Sequence, residues 1–309
     1  MSILFLSFFV LSASASKQTD FLEKLSFKYA PSFRSHQDEK YSLANAEWYL
    51  KHVGLALKNS EGDQEILIEP GQVTIKKLES LFVNINGKKE PVMQKDGSES
   101  LLPSLYFFIP EENYESIIKA EGAKPVVYAY PRYIKNGDEI DISYIFFQAY
   151  NGTVGSGLPC CSLFFHCLGV GNHEGDWEHI TVRLDKTGQN IIGVHYASHG
   201  TEEGIWYTES NRDLDSKKGY KISESGQIIT FSTLDTHGNH NRPGRIRREP
   251  PSIFKKLLKY FGVLIERTSN DGEHVDCRDV LEIFPENKKT SLKSEVFCSH
   301  PWSRRDSNP

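Results

Sequence analysis

Alternation of apolar and polar positions is strongest in the second half of the chain. Val126–Tyr130, Ile140–Phe146, His179–Leu184, Ile191–Ala197 and Ile228–Leu234 carry apolar side chains at every second position or in short apolar runs, the pattern of strands with at least one face in a core. Asn270-Asp271-Gly272, between Ile265 and Val275, reads as a hairpin turn because Asp-Gly tolerates the positive φ such turns need. Several short strands with few helices predict a mainly β fold, a sandwich of two antiparallel sheets with a few flanking short helices. Helical spacing is confined to two stretches. Ser42 caps a short helix through Ala46-Glu47-Trp48-Tyr49-Leu50, which docks through Trp48 and stops near Gly54. Pro250-Pro251-Ser252 starts a second, with Ile253, Phe254, Leu257, Leu258 and Phe261 on one face, Lys255, Lys256 and Lys259 opposite, and Gly262 at its end. That basic amphipathic stripe predicts packing on the core, with peripheral contact to an anionic membrane as the alternative. Residues 54–104, where Gly, Asn, Lys and Glu interrupt short apolar runs such as Glu65–Ile68, are predicted to be rich in loops.

The termini and the composition add compartment and partner class. Ile3–Leu11 is apolar but too short to span a bilayer, and Ser12-Ala13-Ser14-Ala15-Ser16 supplies the small residues a signal peptidase accepts. Residues 1–16 therefore read as a signal peptide, 17–303 as a single domain and 304–309 as a tail, placing the protein outside the cell or in the lumen of the secretory pathway or vacuole. With 18 Phe and 14 Tyr among 309 residues, the chain has ample apolar surface for a core, which excludes disorder. A net charge of −5 supplies no global positive field, which argues against nucleic acid as a partner. No later apolar run is long enough for a transmembrane segment. Five cysteines, Cys160, Cys161 and Cys167 in one cluster with Cys277 and Cys298 near the end, suggest disulfides between cluster and tail, with one thiol left over. The sequon Asn151-Gly152-Thr153 predicts a surface turn if it is glycosylated.

The segment richest in chemistry is Gly171-Asn172-His173-Glu174-Gly175-Asp176-Trp177-Glu178-His179. In extended chain, Asp176 and Glu178 point to one face while Trp177 and His179 point to the other. His173, in a loop bracketed by glycines, can curl towards the same carboxylates. Two hard oxygen ligands and one imidazole suit a divalent cation: calcium, magnesium, manganese or zinc. The bland alternative is a solvated strand face, in which the like charges repel. Glu174, His199, His237, His240 and Arg242 lie beside glycines near strand ends and are candidate neighbours in a shared polar cleft.

At these residues the sequence resembles the vacuolar protein sorting-associated protein 62 family. The likeness runs through Tyr29–Arg34, Glu39-Lys40-Tyr41, Glu47–Leu50, Ile142–Phe147, Asn172–His179, Tyr196–Gly200, Trp206, His237–His240 and Arg242-Pro243-Gly244. The Pro159–Cys167 stretch and the tail beyond Trp302 depart from it. More distantly, His173-x-x-Asp176-Trp177-Glu178-His179 resembles a heptapeptide region of necrosis- and ethylene-inducing peptide-like proteins. These are secreted cytolysins with a lectin-like sandwich in which the segment binds a divalent cation and helps engage sphingolipid sugar headgroups. The resemblance implies His173, Asp176 and Glu178 as metal ligands, with His199 as a neighbour through Ser198-His199-Gly200. Their fourth acidic ligand has no counterpart here.

Three function classes follow. The leading one is a cation-dependent binder of glycans or lipid headgroups, with Trp206 and Tyr207 as stacking surfaces. A metal-dependent hydrolase is the second, with Glu174 or a nearby histidine as general base. A lumenal protein of vacuolar trafficking with no ligand is the third. No Gly-x-Ser-x-Gly nucleophile motif is present, so a binding role leads over an enzymatic one.

Overall fold

The structure, a computed structural model, describes residues 18–58, 63–85, 88–91, 105–134, 137–153, 172–197, 204–211, 217–248 and 264–284. The first half contains α1 (residues 18–28), β1 (Ser32–Arg34), α2 (Ala46–Leu50), β2 (Gly54–Lys58), β3 (Gln64–Ile68), α3 (Ile75–Ser80), β4 (Phe82–Ile85), β5 (Lys88–Pro91), β6 (Leu105–Phe108) and α4 (Tyr114–Ile118). The second half contains β7 (Val127–Ile134), β8 (Glu139–Asn151), β9 (His173–Asp185), β10 (Ile191–Tyr196), β11 (Ile205–Tyr207), β12 (Lys221–Ile222), β13 (Ile228–Ser232) and β14 (Asn239–His240). It closes with β15 (Gly244–Arg248), β16 (Leu264–Thr268), β17 (His274–Asp276) and β18 (Leu281–Ile283). The fold is mainly β, with a few short helices.

A six-stranded sheet in the order β11-β10-β9-β8-β7-β18 is the centre of the molecule. The two 13-residue strands β8 and β9 run antiparallel from Glu139 opposite Asp185 to Asn151 opposite His173. β8 reads as a nearly continuous apolar run because both of its faces are covered. Ile145, Phe147 and Ala149 enter one core with Tyr49, Leu55, Leu78 and Tyr128. Ile140, Ile142, Tyr144 and Phe146 enter the other, with Ile180, Val182 and Leu184 of β9. Phe33 of β1, Ile228 of β13 and Val275 of β17, all in the five-stranded sheet, share that second core. Leu22 and Leu25 of α1 close it, and the Tyr144 hydroxyl donates to the Ser26 carbonyl at 2.8 Å.

The five strongest alternating segments all form strands where the pattern places them. Other expectations are corrected. The sheets are not purely antiparallel, since β1 pairs parallel to β13 and β18 parallel to β7. Asp271-Gly272 does not join a hairpin: β16 pairs with β15, while β17 pairs with β1. Turn residues fix a local reversal, but the partner of each strand is chosen by long-range burial, here of Phe33 and Val275 in one core. Within residues 54–104, β2 and β3 join β6 in a three-stranded sheet and β4 pairs with β5, because Leu55, Ile68 and Leu105 bury in the first core. The cap of α2 is Asn45, whose Oδ1 accepts the N–H groups of Glu47 and Trp48, and the helix docks with Ala46, Tyr49 and Leu50 buried and Trp48 partly buried against the same core. Cys277 is a buried free thiol, so it forms no bridge to the upstream cluster. Asn151 is also buried, 5% exposed, with its side-chain amide on the Gly152 carbonyl, so the sequon does not occupy the surface turn expected of it. Residues 1–16, the Ser252–Phe261 stripe, Cys160, Cys161, Cys167, Cys298 and the tail lie outside the described residues.

The second core can be tested from β8. Phe146→Ala should cost about 3–5 kcal/mol through the cavity it leaves, and Tyr144→Phe about 1–2 kcal/mol through the lost bond to Ser26. Urea unfolding of both variants measures these values, and a neutral Phe146→Ala would contradict the shared core.

Candidate functional site

The motif segment becomes the first half of β9 rather than a loop followed by a strand. His173 already pairs with Asn151, Glu174 with Tyr150, Asp176 with Gln148, and Trp177 with Phe147. Gly175 interrupts this ladder in the left-handed region at φ 68°, a conformation glycine adopts without steric cost. The expected division of faces holds beyond it. Trp177 packs on Phe147 at 4.6 Å between ring centroids and faces Tyr128 at 6.0 Å, in the first core. Asp176 and Glu178 alternate away from it but are buried, 6% and 3% exposed, so they are not the solvated strand face of the alternative reading.

Burial of a carboxylate is costly unless a partner is supplied, and His237 supplies it. Its Nδ1 lies 2.9 Å from Asp176 Oδ2, and its Nε2 lies 3.6 Å from Glu39 Oε2, an ion-pair distance. Glu39 is in turn fixed by backbone donors: Oε1 accepts from Lys40 and Tyr41 at 2.9 Å, and Oε2 accepts from Asp235 at 2.8 Å. Complete burial alone would favour neutral imidazole at position 237. The hydrogen bond to Asp176, the ion pair with Glu39 and the charges of both carboxylates override it, raising the His237 pKa from 6.5 to about 10. Burial likewise opposes ionisation of Glu39, but its ion pair with His237 and the backbone bonds from Tyr41 and Asp235 hold its carboxyl below the usual range. An imidazolium from the β13–β14 turn is therefore clamped between two carboxylates, one from the loop after β1 and one from β9.

That turn is strained to make the clamp. Asp235 and His237 both have positive φ, 66° and 54°, which is uncommon for residues other than glycine and recurs at functional sites. Bonds across the turn hold it: His237 N–H to the Thr233 carbonyl at 3.2 Å, Thr233 N–H to the Gly238 carbonyl at 3.0 Å and a 2.9 Å contact between the Thr233 and Thr236 hydroxyls. Gly152 N–H donates to the Asp235 carbonyl at 2.6 Å, and a Cβ at Gly152 would stand 2.8 Å from that of Asp235.

The remaining sequence candidates divide. His173 is partly buried, and its Nδ1 lies 3.2 Å from the Gly175 carbonyl. With the proton on Nδ1, the Nε2 atom carries the lone pair. Glu174 is buried opposite Tyr150. His240 pairs instead with Glu266 at 3.1 Å, and Arg242, partly buried, receives the Thr268 hydroxyl on its carbonyl at 2.9 Å. His199 lies outside the described residues. Among the described residues, no three His, Cys, Asp or Glu side chains converge closely enough to hold an ion by themselves. Sequence reasoning missed Glu39 as a site residue, although Glu39-Lys40-Tyr41 was part of the family likeness. It also missed Gln148, a buried amide whose Oε1 accepts no hydrogen bond from the described residues. Only the β8–β9 register exposes that second one, by setting it opposite Asp176.

Removing either partner of a buried ion pair should cost about 3–5 kcal/mol, so Asp176→Asn and His237→Gln should both destabilise the protein measurably in denaturant titrations. Because the folded pKa of His237 lies above its ordinary 6.5, its contribution is complete below pH 6.5 and lost as pH rises through about 10. The stability gap between wild type and His237→Gln should therefore narrow from pH 6.5 to 10. A gap independent of pH over that interval would rule out the imidazolium.

Comparison with known proteins follows the same residues. One yeast relative from Saccharomyces cerevisiae, named as the vacuolar protein sorting-associated protein TDA6, is 30% identical over 95 residues; the match covers 29% of this chain and 20% of that protein's length. Among solved structures, Necrosis and Ethylene inducing Protein 2 from the agent of witches' broom disease of cocoa superposes with a TM-score of 0.36 at 9% identity, over 88% of this chain and 76% of the other. The non-toxic HaNLP3 protein gives 0.34 at 13% identity, over 85% and 74%. At these scores the structural likeness is loose. The sequence profile of vacuolar protein sorting-associated protein 62 matches residues 2–249, across the clamp and both long strands, and the chain belongs to that family.

Proposed function

We propose that the protein is a divalent-cation-dependent binder of glycans or lipid headgroups, working through the Asp176 end of β9. The observation that carries this reading is Gln148 Oε1, which accepts no hydrogen bond from the described residues and lies directly across the strand pair from Asp176, two residues from the register position of Glu178. A buried carbonyl oxygen without a donor, beside two buried carboxylates, is a hard oxygen donor set of the kind calcium, magnesium and manganese prefer. Asp176 and Glu178 would hold the ion together with Gln148, and His173 Nε2 would have to move towards them to join as the nitrogen ligand. When bound, it would offer open coordination positions to sugar hydroxyls or phosphate oxygens. His237 and Glu39 position Asp176 and do not themselves ligate. Within the same reading, residues 17–303 form one two-sheet sandwich, residues 1–16 direct it into the secretory route, and its place of action is related to the vacuole, as the family name suggests. No helix among the described residues is long and apolar enough to cross a membrane.

Calorimetry of chelator-treated protein with calcium, magnesium, manganese and zinc tests the cation, and a glycan and lipid array with and without chelator tests the ligand. Gln148→Leu is the informative variant. It removes an acceptor that bonds to nothing described, so it should leave stability within about 1 kcal/mol while weakening cation binding about tenfold or more. No heat from any of the four ions would end the proposal.

A further inference from the structure

The other face of the central sheet carries a second constellation, remote in sequence from the clamp. Ser143 lies opposite Thr181, Thr181 opposite His195, and His195 opposite Trp206, so four strands contribute one row to one face, about 14 Å long at the usual strand spacing. Thr181 and His195 are buried, and the Ser143 and Thr181 hydroxyls are 3.0 Å apart. Trp206, at the edge, is 43% exposed, and its ring folds back over the sheet. Two glycines make this placement possible. At Gly193 a Cβ would stand 3.4 Å from Trp206 Cε3, and at Gly204 a Cβ would stand 2.1 Å from His195 Nε2. The inner face of the indole rests on the Arg183 guanidinium, 4.4 Å from the ring centroid, with His195 at 5.2 Å. The outer face is left to solvent.

Arg183 is itself held. Its Nε and NH2 donate to the two oxygens of Asp141 at 2.8 and 3.0 Å, Glu139 stands 3.5 Å away, and Arg132 stands 3.9 Å from Asp141. Two guanidinium groups and two carboxylates thus balance, and burial together with Arg183 lowers the pKa of His195, leaving that ring neutral. A fixed anion would meet Asp141 and Glu139, and a fixed cation would meet Arg132 and Arg183. The ligand such a surface accepts is one that donates and accepts hydrogen bonds through the same groups and presents a flat C–H face to an aromatic ring. We infer that Trp206, with the Arg183–Asp141–Arg132 network beside it, forms a second, cation-independent binding site for a neutral saccharide. A pyranose would stack on the outer face of Trp206 and direct its hydroxyls to the guanidinium and carboxylate groups at the rim. An exposed aromatic held in place by its neighbours limits the ordering cost of binding, which gives this Trp a role that solvation alone does not.

This assignment is independent of the cation site, and its test keeps the two apart. The full chain, in excess chelator, would be titrated calorimetrically with neutral trisaccharides of glucose, mannose, galactose and N-acetylglucosamine, and with sialyllactose as the anionic comparison. At least one neutral trisaccharide should bind saturably, Trp206→Ala should weaken that binding about tenfold or more, and Trp206→Phe should retain part of it. Thermal unfolding of both variants, expected near wild type because the side chain is exposed, confirms that they are folded. Absence of heat from every neutral trisaccharide, equal affinity in Trp206→Ala, tighter binding of sialyllactose, or saccharide binding seen only when chelator is omitted would each overturn the assignment.

Discussion

The antiparallel pairing of β8 with β9 sets the position of everything else described. Its register places odd-numbered residues of β8 in one core and even-numbered residues in the other, so a slip of one residue would exchange the two cores and turn the buried polar ends outward. Such a slip is resisted from both sides at once. Phe146 and Tyr144 pack against Phe33 and α1, and Phe147 packs against Tyr49 and Trp177. The same register sets Gln148 beside Asp176 and Asp141 beside Arg183. The two polar constellations of the molecule are therefore consequences of one strand pair, displayed on its opposite faces.

They solve the problem of burying charge differently. At the Asp176 end, an imidazolium lies between carboxylates from two other segments, and the strained Asp235–His237 turn is held by its own hydrogen bonds. Pairs of this kind contribute little net stability compared with apolar substitutes, because desolvation offsets most of their attraction; what they impose is a single arrangement of the segments that supply them. At the Trp206 end, the Arg183–Asp141 pair is bidentate and partly open, so solvent screens it and a ligand can reach its edge. One site is enclosed around the His237 imidazolium; the other is open at its edge.

Much of this was legible in the chain before any coordinates. Period-2 alternation identified the five principal strands, and the Asp176-Trp177-Glu178 spacing assigned tryptophan to one core and the acids to the opposite face, because that period is a property of the extended backbone itself. Helix α1 could have been found from Phe21, Leu22, Leu25 and Tyr29 at helical spacing. What could not be found locally was pairing. Nothing in Asp271-Gly272 says that β17 will join β1, and nothing around Cys277 says that it will be buried as a free thiol.

The sequence by itself therefore determined the class of fold, the division of faces along each strand and the residue types of the candidate site, since these depend on backbone geometry and side-chain chemistry over a few neighbouring residues. Tertiary structure alone decided that His237 rather than His240 meets Asp176, that Glu39 completes the clamp, that Gln148 is left without a donor, and that Trp206 lies flat on Arg183. Each of these brings together groups tens to hundreds of residues apart, or places them across a strand pair. Their meeting is set by which apolar faces bury together, a non-directional force summed over the whole core, and no short stretch of sequence carries that sum.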